Sequence, residues 1–519
     1  MKLYKKIISA TLIAVCIILS SCNDKSTTET VSHADVIPTK LTIGMYQSDS
    51  YNPLDTTTFY NEQAYFLIFD SLYNINEKFE AEANLATDIS IENSGNTAVV
   101  QLKPNVKFHD GSSLTAHDVK YTVEHILKNG GYYAYNVRNI ESVSVINDYT
   151  VKFNLKYHTP NIMLQLTFPI VPSENPSALF GTGPYKLLNE KTGKQVDLIK
   201  NENYHNTYNS NVNKIEINLI PDKLTARSLS GSGILDIFFA AFSDEGLKTV
   251  TKSQSAKRDY LTDNYVFLKL NFNNKLINTK QFRKALNLGI NRQKIADDAY
   301  MSHAQPTSLP VPFQASFYNT ANTTEQRNSE ATELLKEIGY EDTDSDGIIE
   351  YTKETDEENP MPEIPRLNIL IRNDTLSKSV AECIVGDLKK LGIFTSLTVC
   401  EAEDYTNNYN DSNYDLCLVN TSLGLDLDTE AFLGKNGIFS APVDYNYKEA
   451  LLKIAATPLT ELKMPTYTNL FNGFYDNPSH IPLVYLKNTL ITNDKFKNFD
   501  ELYLNNLYYK ILLGGNTND

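Results

Sequence analysis

The 519-residue sequence contains no tryptophan, 5 cysteines, and few glycines and prolines, 22 and 20 respectively. Because 41% of its residues are hydrophobic, this composition indicates a globular chain. Basic residues are also scarce: 47 lysines and arginines stand against 63 aspartates and glutamates, which gives a net charge of -16. A charge of this sign argues against nucleic acid as a partner.

The sequence also lacks familiar catalytic motifs. It contains no GxSxG, no HExxH, no Walker loop and no glycine-rich dinucleotide fingerprint between a strand and a helix. Its 8 histidines form no pair with metal-binding spacing. These absences favour a binding protein over an enzyme, and we expect no catalytic residue, cofactor or metal.

Three cysteines lie in the C-terminal half of the chain, at Cys383, Cys400 and Cys417. An odd number of cysteines cannot all form disulfides with one another. Cys383 falls in an apolar helical pattern and Cys400 in an apolar strand pattern, which is typical of buried free thiols. We therefore assign no chemistry to them.

The N-terminus has the pattern of a secretory signal. Three lysines precede an apolar run at residues 7–19, which ends in the lipobox Leu-Ser-Ser-Cys at Cys22. A transmembrane helix needs about 20 apolar residues, so this run is short for a span. We expect residues 1–21 to be a cleaved lipoprotein signal peptide and 22–39 a flexible tether. Diacylglycerol on Cys22 would anchor the protein to the extracytoplasmic face of the cell membrane; the alternative is a secreted protein with a coincidental cysteine.

Several local patterns predict secondary structure. Thr115 and Asp118 have the spacing of a capping box, which predicts that a helix starts at residue 116. The strand patterns at residues 143–146 and 150–155, with a turn near 147–148, predict a β-hairpin. Apolar residues at helical spacing in 64–72 predict a second helix.

A strand, helix, strand pattern covers residues 367–371, 380–391 and 394–400. Such a unit implies parallel strands with a right-handed crossover, and hence an open α/β domain. Ligands of open α/β sheets bind beyond the carboxyl ends of the strands. Arg372 follows the first of these strands directly.

The chain also carries a series of ordered sequence blocks. Residues 102–119 read LKPNVKFHDGSSLTAHDV, and 181–185 read GTGPY. Further blocks are an Asn-Tyr pair at 203–204, GILDI at 233–237 and RKALNLGINR at 283–292. With these blocks the sequence resembles the peptide and nickel binding proteins of ABC importers, known as family 5 solute-binding proteins.

This resemblance implies an α/β fold of the periplasmic-binding-protein kind, type II and cluster C, with two large lobes plus an extra lobe around a ligand cleft. A chain of this length is also expected to form two or three domains. Lobe I would be discontinuous and lobe III would close on the ligand by a hinge motion. The implied boundaries are 40–63 with 181–264 and 481–519 for lobe I, 64–180 for lobe II, and 265–480 for lobe III.

The same resemblance implies a monomer that delivers oligopeptides, or another small solute, to the permease subunits of an ABC importer. Alternatives within the family are binders of a nickel chelate, haem or an oligosaccharide. An alternative of another kind is a surface receptor that senses a peptide signal without import.

In peptide-binding relatives an aspartate in a segment of the form GWxxDxxxP pairs with the α-amino group of the ligand. Residues 421–429 correspond to this segment, with Ser422 at the tryptophan position and Leu425 at the aspartate position. Asp426 lies one residue further on and could substitute. A buried Asp426 would need a cationic partner. The candidate ligand-binding residues of this segment are Thr421, Ser422, Leu423 and Asp426.

Two further places are implied by the resemblance. Thr58, Phe59 and Tyr60 occupy the position at which relatives contact the ligand backbone. Arg372 lies near the strand end where an arginine of dipeptide-binding relatives grips the ligand carboxylate, which suits a planar, bidentate guanidinium.

An acidic segment at residues 342–347 starts like a calcium-binding EF-hand loop, with aspartates at its positions 1, 3 and 5 and glycine at 6. Position 12, which should hold a bidentate glutamate, is Lys353. The pattern favours a structural turn over a calcium site, and both interpretations stay open.

Overall fold

A computed structural model describes most of the chain after the predicted tether. The predicted signal peptide, the tether with Cys22 and the segment 427–463 lie outside the described residues. The described residues are 40–47, 49, 52–157, 162–176, 179–191, 194–241, 255–311, 315, 325–354, 361–426, 464–493, 496 and 501–513.

The described strands are β1 Lys40–Tyr46, β2 Tyr73–Ile75, β3 Ala81–Ala83, β4 Ala86–Glu92, β5 Thr97–Leu102, β6 Ile140–Asn147, β7 Thr150–Leu155, β8 Tyr185–Lys191, β9 Gln195–Lys200, β10 Lys214–Ile220, β11 Ile237–Ala241, β12 Ser255–Leu270, β13 Ala304–Pro306, β14 Tyr340–Glu341, β15 Glu350–Tyr351, β16 Arg366–Arg372, β17 Phe394–Cys400, β18 Leu416–Ser422 and β19 His480–Asn493. Two four-stranded sheets have the orders β1-β10-β9-β8 and β4-β5-β7-β6. A larger sheet has the order β11-β19-β12-β18-β16-β17, with β13 also paired to β19. Two short pairs, β2-β3 and β14-β15, complete the described sheets.

The described α-helices are α1 Phe59–Tyr65, α2 Ala116–Asn129, α3 Ala134–Val137, α4 Ile162–Gln165, α5 Lys223–Gly231, α6 Lys275–Asn278, α7 Lys280–Gly289, α8 Arg292–Lys294, α9 Asn328–Glu337, α10 Thr375–Lys390, α11 Ala402–Asn410, α12 Met464–Asp476 and α13 Leu507–Leu513. Short 3-10 turns lie at Pro53–Asp55 and Asn93–Gly95, and a π-helical turn at Ile295–Ala299. Within the described ranges, no helix combines the length and the apolar character needed to cross a bilayer.

The three predicted local units are present. The capping box of Thr115 and Asp118 starts α2. Strands β6 and β7 form the predicted antiparallel hairpin. Strands β16 and β17 pair in parallel with α10 between them, as the strand, helix, strand pattern predicts.

The predicted helix at residues 64–72 is wrong in its position. The helix observed there is α1, which begins after its N-cap residue Thr58 and ends at Tyr65. The backbone carbonyls of Leu67 and Ile68 accept hydrogen bonds from the N–H groups of Tyr185 and Gly183, at 2.9 and 2.8 Å. Because those carbonyls serve the 181–185 loop, they are not available to continue the helix.

A β-bulge interrupts the pairing of the long strands β12 and β19. Leu261 is opposite Lys487 and Tyr265 is opposite Tyr485. On the β19 side, the three residues 262–264 are therefore opposite the single residue Leu486. Bulges of this kind bend a strand and turn a side chain in a new direction. This bulge lies next to the boundary between lobes I and III that the sequence predicts at 264 and 265, and the division into lobes stays a prediction.

Apolar side chains form two main buried clusters. One joins the two four-stranded sheets, α1 and the C-terminal helix α13, and the other surrounds β16, α10 and α7. The three cysteines are free thiols, with Cys383 and Cys417 buried and Cys400 partly exposed. Burial raises the pKa of the Cys417 thiol to about 11, so this thiol stays protonated at neutral pH.

Candidate functional site

A cavity of about 580 Å³ lies where several distant parts of the chain meet. Its wall combines α1 and the residue before it, residues around α3 and α4, the bulge of β12, and the loop after β18. The volume falls in the range of about 300–1,000 Å³ that is usual for small-molecule sites. The lining residues include eight aromatic side chains: Tyr46, Phe59, Tyr60, Tyr132, Tyr133, Tyr135, Phe239 and Tyr260.

Most of the residues that the sequence singles out lie at this cavity. Thr58, Phe59, Tyr60, Ser422 and Asp426 line it. They belong to two segments that are far apart in the sequence and are brought together by the fold.

The other three predicted residues are placed differently. Leu423 is buried, and its carbonyl accepts a hydrogen bond of 2.6 Å from the hydroxyl of Tyr135, which does line the cavity. Thr421 and Arg372 are not among the lining residues. The guanidinium of Arg372 lies over the ring of Tyr405, 4.9 Å from its centroid.

Asp426 is buried and already has a cationic partner within the protein. Its Oδ2 atom lies 2.5 Å from Nη2 of Arg138 and accepts a second hydrogen bond, of 3.0 Å, from Nε2 of Gln165. Arg138 also stacks on Tyr135, with its guanidinium carbon 3.6 Å from the ring centroid. The partner that a buried Asp426 requires is therefore supplied by the chain itself.

Glu62, which no sequence motif singled out, is a second carboxyl group at the cavity. It lies in the first turn of α1, is 7% exposed, and accepts a hydrogen bond of 3.0 Å from the hydroxyl of Tyr132. Burial raises the pKa of the Glu62 carboxyl to about 8, with added repulsion from Asp263, while hydrogen bonds from Tyr132 and Gln63 oppose the rise. Its environment therefore favours the protonated form at neutral pH.

Asp263 is the third carboxyl group at the cavity and was also missed. It lies in the bulge of β12, which accounts for its position at the cavity wall. Its Oδ2 atom accepts hydrogen bonds from the hydroxyl of Ser422 and, at 3.1 Å, from the backbone N–H of Gly424. Burial raises the pKa of Asp263, and the hydrogen bond from Ser422 opposes this rise.

The ionisable groups that line the cavity are carboxyl groups and tyrosine hydroxyls. The lining includes the three carboxyl groups, and among the described residues no lysine, arginine or histidine lines it. Neither Glu62 nor Asp263 forms an ion pair with a lysine, arginine or histidine among the described residues. The site is therefore acidic and aromatic, which favours cationic groups through Coulomb and cation–π attraction.

Weak sequence signals for the two missed residues do exist. Glu62 is the one charged residue in the aromatic stretch 59–66, FYNEQAYF. Asp263 belongs to a polar triplet, 262–264, inside an otherwise strand-like run. Polar residues in such places are often bulges or functional groups, although neither pattern identifies a ligand.

The acidic turn at residues 342–347 lies away from this cavity. Asp342, Asp344, Asp346 and Glu350 bring one carboxylate oxygen each within 4.8 Å of one another. The carboxylates of Asp342 and Asp346 also accept hydrogen bonds from the turn's own backbone N–H groups. The hydrogen bonds fit a structural turn, and the clustered carboxylate oxygens fit a cation site. Both interpretations of the segment therefore stay open.

Comparisons with known proteins identify the fold and the family. A solved structure of HbpA2 from Haemophilus parasuis superposes with a TM-score of 0.74 at 20% identity, covering 92% of this chain and 99% of that one. This likeness confirms the predicted α/β fold of the periplasmic-binding-protein kind.

Two curated proteins are similar over most of the chain. The oligopeptide-binding protein AppA of Bacillus subtilis is 25% identical over 441 residues, which are 78% of each chain. The nickel-binding periplasmic protein of Escherichia coli is 22% identical over 462 residues, 81% of this chain and 85% of the other. Both are binding proteins, in agreement with the binding role expected from the sequence.

The family model described as bacterial extracellular solute-binding proteins, family 5, matches residues 80–437, which is more than half of the chain. This chain therefore belongs to family 5 of the bacterial extracellular solute-binding proteins.

Proposed function

We propose that this protein is a lipid-anchored receptor that captures short oligopeptides outside the cytoplasm and delivers them to an ABC importer. The proposal rests chiefly on the lining of the cavity, which includes five carboxamide side chains: Asn136, Gln165, Asn264, Asn488 and Asn505. A carboxamide both donates and accepts hydrogen bonds, so it can pair with either the N–H or the C=O of a peptide group.

A polar atom at the wall supports a polar ligand. The Oε1 atom of Gln165 is buried at the cavity and has no hydrogen-bond partner among the described residues. Buried polar atoms almost always have a partner, so a ligand that supplies one would be stabilised here. The similarity to AppA, which is named an oligopeptide-binding protein, agrees with a peptide ligand.

The family also includes nickel-binding relatives, so the nature of the ligand needs a direct test. The described lining contains no histidine, cysteine or methionine side chain, which are the softer ligands of nickel and copper. We therefore place peptides first.

The experiment is to denature protein purified from its own host and identify the released solutes by mass spectrometry. Short peptides should be recovered, and calorimetry with synthetic copies should give binding to the refolded protein. Recovery of a metal chelate, a haem or an oligosaccharide instead would overturn peptide capture. Uptake of the same peptides by cells with and without the gene would separate import from signal sensing.

The lipid anchor at Cys22 is a separate part of the proposal, since this residue lies outside the described residues. Two acyl chains on one residue anchor a protein stably, whereas one chain binds only marginally. Cys22→Ser should move the protein from the membrane fraction to the medium or periplasm and abolish labelling by a fatty-acid probe. A variant that stays labelled and membrane-bound would contradict the anchor.

A further inference from the structure

We propose that Glu62 and Asp263 together form a cation subsite in the cavity, which receives the ammonium group of the bound solute. This inference rests on the capture role proposed above and specifies the chemistry of the solute. The ammonium group can be the α-amino group of a peptide or a primary amine on one of its side chains.

Asp426, the residue expected to hold an amino group, is already occupied within the protein. Its Oδ2 atom is already bonded to Arg138 and Gln165. The pair it forms with Arg138 is neutral overall, so it offers a ligand cation much less attraction than an unpaired carboxylate would. The amino group of a ligand therefore gains more from another carboxyl group at the same cavity.

Glu62 and Asp263 meet this requirement. Both line the cavity, and both receive only neutral donors: Tyr132 and Gln63 for Glu62, and Ser422 and a backbone N–H for Asp263. A buried carboxyl group without a cation tends to keep its proton, because the carboxylate is costly to remove from water, and an ammonium group beside it stabilises the ionised form. A ligand cation supplies the charge that the described protein does not.

The two carboxyl groups belong to different secondary-structure elements and line the same cavity. Glu62 is held on α1 and Asp263 on the bulge of β12, and the charge of Asp263 is close enough to raise the pKa of Glu62. An ammonium group between them would remove this repulsion and attract both.

The aromatic rings of the wall suit the same ligand group. Tyr132 donates its hydroxyl to Glu62 while 37% of the residue remains exposed, and Tyr60, Tyr133 and Tyr260 line the same cavity. Ammonium groups are attracted to the faces of tyrosine rings, most strongly where water is excluded. Carboxyl groups and rings together therefore select a cation over a neutral polar group.

The main experiment compares peptides that differ in one amino group. Trialanine, N-acetyl-trialanine and N-acetyl-Ala-Ala-Lys are titrated into the wild type, Glu62→Gln and Asp263→Asn by calorimetry. Wild type should bind one or both amine-bearing peptides about 30- to 100-fold more tightly than N-acetyl-trialanine, as expected for a desolvated charge pair. Preference for trialanine assigns the α-amino group, and preference for the lysine peptide assigns a side-chain amine.

In both variants the ratio of the two affinities should fall to about threefold or less, while binding of N-acetyl-trialanine is retained. Retained binding shows that a variant is folded, and Glu62→Gln mimics the protonated carboxyl. Glu330→Gln is the matched control, because Glu330 also lies in the first turn of a helix, α9, but is exposed and does not line the cavity. The inference is overturned by a wild type without preference, or by a preference that only Asp426→Asn removes.

A second measurement tests the cation subsite independently of peptide capture. If none of the peptides binds wild type, peptide capture fails, and butylammonium chloride is then used as the probe. It should raise the melting temperature of wild type above that in sodium chloride of equal concentration, with no such rise for Glu62→Gln. Equal melting temperatures in both salts would overturn the cation subsite itself.

Discussion

The carboxyl group of Glu62 makes the stability of the unliganded protein depend on pH. Its pKa is about 8 in the folded state, against an ordinary value near 4.5 in an unfolded chain. Between these values the folded state holds a proton that the unfolded state has released, so the free energy of unfolding falls as pH rises from about 4.5 to 8. Above about 8 both states are ionised and the fall ends.

Glu62→Gln should remove most of this slope, because a carboxamide does not ionise. We expect the variant to match wild type at pH 4.5 and to be more stable by about 3–5 kcal/mol at pH 8.5, since each pKa unit corresponds to about 1.4 kcal/mol. The titratable groups that face Glu62, namely Tyr132, Tyr133 and Asp263, remain in both proteins.

Urea unfolding followed by circular dichroism measures this difference, and it suits a chain that has no tryptophan. Glu330→Gln, an exposed control, should follow the wild-type profile at every pH. Parallel profiles of wild type and Glu62→Gln would show that Glu62 is ionised throughout in the folded state.

At the scale of single residues, the sequence could identify parts of the site but not its charge balance. Thr58, Phe59 and Tyr60 were predicted from family position and do line the cavity. Asp426 was predicted from the resemblance, one residue beyond the aspartate position of the relatives, but its partner Arg138 is 288 residues away and no local pattern connects them. Glu62 and Asp263 were missed because burial and the absence of a cation are properties of the folded chain.

At the scale of elements, the GTGPY loop shows why glycine is required at Gly181. A Cβ atom there would lie 1.9 Å from the carbonyl oxygen of Ile68, and one at Gly183 would lie 2.6 Å from the Ile68 carbonyl carbon. These are contacts with backbone, which cannot rotate away as a side chain can. The loop therefore packs directly on the segment that ends α1 and positions this helix beside the cavity.

Gly181→Ala should destabilise the protein by about 2–4 kcal/mol, because the backbone at 67–69 or 181–183 must move. Gly386→Ala is the matched control, since Gly386 lies inside α10 with open space at its Cβ position. The control should be neutral or stabilising by up to about 1 kcal/mol, as alanine favours helix. Urea midpoints measure both, and equal midpoints for the two variants would contradict the close packing of Gly181.

The elements that the sequence predicted correctly are those with local causes. The capping box of α2, the β6-β7 hairpin and the β16-α10-β17 unit depend on residues near one another in the chain. Helix α1 was misplaced because its end depends on the loop at 181–185, which is more than 100 residues away. The bulge of β12 likewise depends on its pairing with β19.

At the scale of the whole molecule, one cluster of side chains connects two sheets across the cavity. Tyr135 and Arg138 lie just before β6, and Gln165 lies after β7. The hydroxyl of Tyr135 donates to the carbonyl of Leu423, and Arg138 and Gln165 both donate to the carboxylate of Asp426, in the loop after β18. We call these five residues the clasp. Because Asp426 is 3% exposed, its pairing with Arg138 is formed away from water, and breaking a buried pair costs about 3–5 kcal/mol.

Arg138→Gln should weaken the clasp and so favour an open cleft. If closure is required for binding, the apparent affinity falls in proportion to the closed population. We therefore expect Arg138→Gln and Asp426→Asn each to weaken every ligand by a similar factor, about 10- to 100-fold, whether or not the ligand carries an amino group. This uniform loss differs from the selective loss expected for Glu62→Gln.

Small-angle scattering and calorimetry together test the clasp. The radius of gyration of the unliganded variants should exceed that of wild type, and the double variant should bind no more weakly than either single variant, since both remove one interaction. Lys120→Gln is the control, because Lys120 forms an exposed pair with Glu124 within α2 and such pairs contribute about 0.3–0.5 kcal/mol. An unchanged radius of gyration, or losses that add in the double variant, would show that Arg138 and Asp426 act separately and that the cleft closes without them.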